Sequence, residues 1–322
     1  MTNLFLTGPT GFIGSALLQQ LIQHKNYIPT AAVRNSSKKI PSNIQSISVD
    51  EINAQTQWQS ALENIDVVIH LAARVHIMNE IAADPLTEFR KINVAGTLNL
   101  ARQAAQAGVK RFIFISSIKV NGESTQIEKP FTADDIPAPE DAYGMSKYEA
   151  ELGLQEIAKN TGIEIVIIRL PLIYGPGVKA NFLAMMRWLQ KGVPLPLGAV
   201  QNNRRSLLAL DNLIDLIITC IEHPAAANQT FLASDGEDLS TTDLLKRMAF
   251  ALEKKPYLLP VPVSLLKLAG KLTGKTDIIS RLCGSLQVDI SKTCSILNWT
   301  PPISVDEGLR RVAEPFLRMR KK

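Results

Sequence analysis

Along the first half of the chain, short runs of apolar residues alternate with longer stretches in which apolar positions recur at helical spacing. Leu4–Leu6 reads as a buried strand, and Ser15–Ile22 follows as a helix with one apolar face. The same rhythm predicts strands over Tyr27–Val33, Ile44–Val49, Asp66–Ala73, Arg111–Ser117 and Ile163–Arg169. Helices are expected over Asp84–Ala107 and Tyr143–Asn160, and the Pro-, Asp- and Glu-rich stretch Gly122–Ala142 reads as a long loop. Beyond Pro171 the pattern is less regular. It suggests helices over Phe182–Lys191, Asp211–His223, Ser240–Leu252 and Pro262–Leu272, with strands at Arg205–Leu210 and Phe231–Ala233. No repeat or low-complexity tract interrupts it.

Strands alternating with helices imply an α/β fold, a doubly wound parallel sheet of the Rossmann type, with its ligand crevice at the strand C-terminal ends. Residues 1–170 are expected to form the dinucleotide-binding domain, with 205–235 returning to it. Residues 171–322 would form a smaller substrate-binding domain. The loop after the first strand carries Gly8, Thr10, Gly11, Phe12, Ile13 and Gly14. Gly8 permits a tight turn, Gly11 lets the backbone approach a pyrophosphate, and Gly14 lets the helix pack close to the strand. The unpaired N–H groups at the helix start would face the negative ligand. Arg34 stands 20 positions after Gly14, where an arginine suits a 2′-phosphate and an acidic residue suits free ribose hydroxyls. With Lys38 and Lys39 behind it, Arg34 favours NADP over NAD. Asp50 could reach the adenine, and the small residues of Leu71-Ala72-Ala73 would let a ligand lie over a strand end.

Composition adds only exclusions. The 322 residues are 46 % hydrophobic and 20 % charged, which is ordinary for a globular chain. A formal charge of +5 is spread out except in the tail from Arg310 to Lys322, which reads as a solvated basic run. Nothing resembles a nucleic-acid module. Cys220, Cys283 and Cys294 lack metal spacing and suit a reducing compartment, so no metal site is expected. No stretch is long and uninterrupted enough to span a bilayer, and a strand begins almost at once, which leaves no room for a signal peptide. A cytoplasmic location is expected.

The second informative stretch is Tyr143-Gly-Met-Ser-Lys147. Residues four apart share a helix face, and an ammonium beside a phenol favours phenolate, so the pair could exchange a proton with an alcohol or ketone. Ser117, at a strand end, could hold the same oxygen.

Taken together, the glycine loop, Leu71-Ala-Ala73, Asn93-Val-Ala-Gly-Thr97, Ser116-Ser117, Tyr143-xxx-Lys147 and Arg169 with Tyr174-Gly-Pro176 resemble the extended short-chain dehydrogenase/reductase family, in its nucleotide-sugar epimerase/dehydratase branch. The resemblance implies catalytic roles for Ser117, Tyr143 and Lys147. It places Asn93 with the cofactor residues and Asn181, Arg205 and Arg281 on the nucleotide diphosphate of a UDP-sugar. It also implies a homodimer through the helices near Asp84–Ala107 and Tyr143–Asn160. Dehydratases of this branch carry Asp-Glu after the catalytic Ser/Thr, where this chain has Ile118-Lys119, so dehydration is not expected. Leu172, where many 4-epimerases carry Asn, joins Arg34 in favouring NADPH-dependent reduction of a UDP-4-keto-6-deoxy-N-acetylhexosamine for surface-polysaccharide synthesis. The alternatives are a UDP-glucose or UDP-N-acetylglucosamine 4-epimerase with bound NAD, and a catalytically silent cofactor-binding protein.

Overall fold

The computed structural model describes residues 1–34, 40–75 and 84–318. Lys38 and Lys39 therefore lie outside the described residues, as do the last four residues of the basic tail. Seven parallel strands form the main sheet, β1 (Thr2–Thr7), β2 (Tyr27–Val33), β3 (Gln45–Ser48), β4 (Val67–His70), β5 (Arg111–Ser117), β6 (Glu164–Leu170) and β9 (Gln229–Leu232). Their spatial order is β3-β2-β1-β4-β5-β6-β9. The chain reverses its direction of winding between β1 and β4, and that switch point is where a doubly wound sheet opens a crevice. All four residues of β4 are buried, as are Arg111–Ser116 of β5, because helices cover both faces of the sheet.

On one face α1 (Phe12–Gln23) and α6 (Leu210–Glu222) pack into a core with β1, β4 and β6. On the other, α3 (Thr97–Gln106) and α4 (Ala142–Thr161) enclose Trp58, Phe112 and Phe114. The predicted helix over Asp84–Ala107 is not uniform. A short α2 (Pro85–Phe89) runs into a π-helical segment, Arg90–Gly96, before α3 begins.

The stretch 205–235 is divided between the two halves. β9 extends the main sheet beside β6, whereas β8 (Arg205–Ala209) lies in a separate small sheet between β7 (Leu172–Tyr174) and β10 (Asp238–Leu239). A second core gathers around that sheet from α5 (Ala180–Lys191), α7 (Thr241–Ala251) and the last helix, α11 (Val305–Arg318). Three further helices, α8 (Val263–Leu272), α9 (Thr276–Cys283) and α10 (Ser291–Leu297), complete this half. The basic tail is thus largely helix. Val305, Leu309, Val312, Ala313 and Phe316 form its buried stripe, and Arg310 and Arg311 pair with Glu307, Glu314 and Asp211 instead of standing free in solvent. Among the described residues no helix is long and apolar enough to cross a membrane.

The turn from β1 into α1 is closed so tightly that only glycine fits. Gly8 has φ of 69°, and a Cβ there would lie 2.9 Å from the backbone nitrogen of Ala72. A Cβ on Gly14 would lie 2.1 Å from the carbonyl oxygen of Gly8. Both obstacles are backbone, so no side chain can swing aside. Gly14→Ala is expected to destabilise the protein by about 1–3 kcal/mol and to weaken dinucleotide binding. Thermal unfolding and a nucleotide titration would check it, and an unchanged melting temperature would contradict the reading.

Candidate active site

Two bonds hold the start of α4 over the C-terminal end of β5. Asp141 caps the helix through the backbone N–H of Gly144 (2.6 Å), which sets Tyr143 in the first turn. One turn further on, the buried Lys147 Nζ donates to the carbonyl of Ile115 (2.8 Å) and lies 4.4 Å from the centre of the Phe114 ring. Lys147 is thereby anchored two residues before Ser117, whose Oγ accepts from the backbone N–H of Lys119 (3.3 Å). The Tyr143 ring meets Phe89 edge-on at 5.8 Å, and among the described residues its hydroxyl has no hydrogen-bond partner.

The electrostatics differ from the sequence expectation. Burial, followed by the nearby charge of Asp141, pushes the Tyr143 phenol up to about 12. Burial also holds the Lys147 amine down to about 7, only partly opposed by Glu151. Without a ligand the pair does not produce a phenolate. Lys147 is turned to a carbonyl and an aromatic face, and desolvation penalises the charged form of both groups.

A buried network that sequence reasoning missed lies beneath them. Glu151, one turn beyond Lys147, pairs with Arg169 of β6 at 2.6 Å and accepts from Ser116 Oγ at 2.5 Å. Arg169 also donates to Asn121 Oδ1 (3.0 Å), so β5, β6 and α4 are joined by polar contacts directly under the candidate site. The i,i+4 spacing from Lys147 to Glu151 was the available signal, but its partner lies on another strand.

Several cofactor candidates converge on the same crevice. Asn93, in the π-helical segment, accepts from the N–H of Arg74 (2.8 Å) and donates to its carbonyl (3.0 Å), and it also donates to Ser146 Oγ (3.0 Å). It therefore ties the Leu71–Ala73 exit of β4 to the Tyr143 helix. Ala72 donates its N–H to Thr7 Oγ1 (3.2 Å), which meets His70 Nδ1 at 2.8 Å. Burial holds His70 down to about 3, so it stays a neutral structural link. Gly8–Gly14 lie at the end of β1, the exposed Arg34 follows β2, and Asp50 follows β3. The glycine turn fits a dinucleotide pyrophosphate. α1 opens without a side-chain cap or an acidic residue in its first turn, so its leading N–H groups are left for an anion.

The substrate candidates lie in the smaller half. Arg205 donates to the carbonyl of Arg281 (2.8 Å), and burial together with the charge of Arg281 holds its guanidinium below the usual arginine range. Among the described residues neither arginine has a carboxylate partner, which leaves two cations side by side. Asn181 stands exposed in the first turn of α5, and among the described residues no hydrogen bond joins it to the arginines. Lys119 occupies one of the positions where dehydratases carry acids. It is ion-paired with Asp141 and with Glu123 (2.7 Å).

A glycine-turn parallel sheet with a Tyr–Lys helix over the C-terminal end of β5, one strand beyond its switch point, defines a dehydrogenase-type enzyme working with a nicotinamide dinucleotide. The chain belongs to the NAD-dependent epimerase/dehydratase family, whose model matches residues 4–233. It is 51 % identical over 316 residues to a UDP-glucose 4-epimerase of Vibrio cholerae, an alignment covering 98 % of this chain and 96 % of that one. Its fold is similar to that of a UDP-glucose 4-epimerase of Thermotoga maritima solved with UDP-glucose, with a TM-score of 0.75, 23 % identity, and coverage of 99 % of this chain and 100 % of that one. It is also similar to that of a UDP-glucuronic acid 4-epimerase of Bacillus cereus solved with NAD, with a TM-score of 0.78, 22 % identity, and coverage of 99 % and 98 %.

Removing the Glu151 charge leaves Arg169 buried without its counter-ion. Glu151→Gln is expected to cost about 3–5 kcal/mol in denaturant unfolding, and a loss below about 1 kcal/mol would contradict the network's role. Lys147 makes a pH prediction. Its amine titrates near 7 in the fold against an ordinary 10.5. The unfolded chain therefore binds more protons between those values, and stability rises as pH climbs through that window. Lys147→Met should flatten this rise in ligand-free protein, and parallel stability curves for the two proteins would refute it.

Proposed function

We propose that this protein is a UDP-hexose 4-epimerase that retains NAD, interconverting a UDP-sugar and its C4 epimer. The observation that carries the proposal is the 51 % identity, over nearly the full length of both chains, to a protein named UDP-glucose 4-epimerase. Arg205 and Arg281, which have no carboxylate partner among the described residues, support a diphosphate-bearing substrate, since guanidinium forks suit phosphate oxygens. When bound, NAD supplies a hydride acceptor and a positive charge beside the crevice. Tyr143 would then take the proton from the sugar 4-hydroxyl as C4 gives up its hydride and return it in the reverse step, Ser117 would orient that oxygen, and Lys147 would hold the ribose and steady the phenolate. For inversion, the site must allow the keto-sugar to turn before hydrogen is restored to its opposite face. The lysine at position 119, held by Asp141 and Glu123, offers no carboxylate for eliminating water. The homodimer we propose pairs the helices over 84–107 and 143–160, and Leu152 stands exposed on the second of them.

NADPH-dependent reduction of a 4-keto sugar, the reading that Arg34 favours, is the second reading. Arg34 is exposed at the end of β2, where it could meet a 2′-phosphate. Purified protein incubated with UDP-glucose or UDP-N-acetylglucosamine, without added NADPH, is expected to yield the C4 epimers. Stoichiometric NADPH consumption with a 4-keto sugar, and no epimerisation, would overturn the proposal in favour of the reductase. Tyr143→Phe should lower turnover by about 10²–10⁴-fold while nucleotide binding persists, and retained turnover would show that another group moves the proton.

A further inference from the structure

Helix α8 carries an apolar stripe on its outer side as well as its inner one. Leu266 and Gly270 face the core, while Leu265, Leu268 and Leu272 are 53 %, 53 % and 79 % exposed. Their spacing of three and then four residues places them in one row along the helix. Lys267 and Lys271 occupy the sector between this row and the buried face, and Lys275 follows at the turn into α9. Helix α9 packs against α8 and has no fully buried residue, with Ile278 and Asp277 both exposed.

Further exposed apolar side chains precede α8 in the chain. Phe250, at the end of α7, is 85 % exposed, and Tyr257 and Leu259 are exposed further on. The 257–259 segment is hydrogen-bonded to Leu195 through the Tyr257 carbonyl and the Leu259 N–H, both at 2.8 Å, which brings the exposed Val193 and Trp188 of the neighbouring segment to the same region. From 254 to 276 the sequence holds five lysines and no acidic residue.

We infer that this face docks on a bilayer surface containing anionic phospholipid, with the α8 leucine row in the acyl boundary and the lysines on headgroup phosphates. The arrangement suits an interfacial helix, in which leucines enter the boundary, flanking ammonium groups stay at the headgroups, and amphipathic rings such as tyrosine and tryptophan sit between them. A second copy of this chain fits poorly, because a self-complementary contact on this face would set its lysines against each other. Lys254, Lys255, Lys267, Lys271 and Lys275 outnumber the exposed acids that bound this stretch, Glu253 and Asp277, and that excess of positive charge selects an anionic partner. Side chains that project instead of lining a groove suit a fluid surface. The inference is independent of which sugar the enzyme turns over.

Flotation of the full chain with vesicles tests it. Binding is expected to vesicles of phosphatidylcholine mixed with phosphatidylglycerol, weaker binding to phosphatidylcholine alone, and release at high salt. The double variant Leu268→Glu/Leu272→Glu should lower partitioning by about tenfold or more, with circular dichroism unchanged because both side chains already face solvent. Lys267→Glu/Lys271→Glu should reduce binding to the anionic vesicles and spare turnover. Absence of vesicle binding, binding that the leucine variant leaves intact, or loss only on removing the segment after Arg318 would each overturn the proposal. So would light scattering showing that the leucine variant dissolves an oligomer while vesicles bind neither protein.

Discussion

Everything at the crevice depends on burying one amine. Lys147 fastens α4 to β5 through the Ile115 carbonyl and the Phe114 ring, and that attachment puts Tyr143 and Ser117 at the same end of the sheet. Burying a lysine is unfavourable, and the fold answers with a carbonyl acceptor, an aromatic face and the Glu151 carboxylate one turn away. Glu151 is in turn held by Arg169 and Ser116. The helix that presents the phenol is therefore fixed from beneath by groups that need not touch a substrate.

Burial of the phenol, followed by the charge of Asp141, makes ligand-free Tyr143 a weak acid. A phenol near 12 beside an amine near 7 is poised for a bound positive charge to shift it, not active in advance. Around this pair the molecule assembles its other parts. The start of α1, with no side-chain cap and no acid in its first turn, leaves its leading N–H groups open to an anion on one side of the switch point. Asn93 ties the β4 exit to α4, and the paired Arg205 and Arg281 stand in the smaller half, where a second anion can bind.

Much of this was legible in the sequence where the signal was local. The glycine turn, the strand periodicity and the Tyr143–Lys147 spacing each depend on neighbours within a few residues, and they led to the right fold; the structure then sets Tyr143 and Lys147 at the C-terminal end of β5, where Ser117 lies. What escaped was long-range or too short to show a period. β7 has three residues and β10 two, so neither could show alternation. The buried partnership of Glu151 with Arg169 joins a helix to a strand 18 positions on. α11 was hidden because its arginines dominated the composition, although its apolar residues at 305, 309, 312, 313 and 316 carry a helical pattern. The direction of the Tyr143 shift was misjudged because spacing reports a neighbouring charge but not the loss of water around it. The preference for reduction over epimerisation rested on Arg34 and Leu172. Both are exposed, one at the end of β2 and the other in β7, and two surface positions weigh less than a relative that matches across almost the whole chain.

The most direct test is an NMR titration of ligand-free protein carrying ¹³C-labelled lysine, with Lys147→Met used to assign the signal. One lysine is expected to titrate near 7 while the others titrate in the ordinary range close to 10.5. A Lys147 signal that moves with the rest would mean that the amine is hydrated and that α4 is not seated on β5 as described.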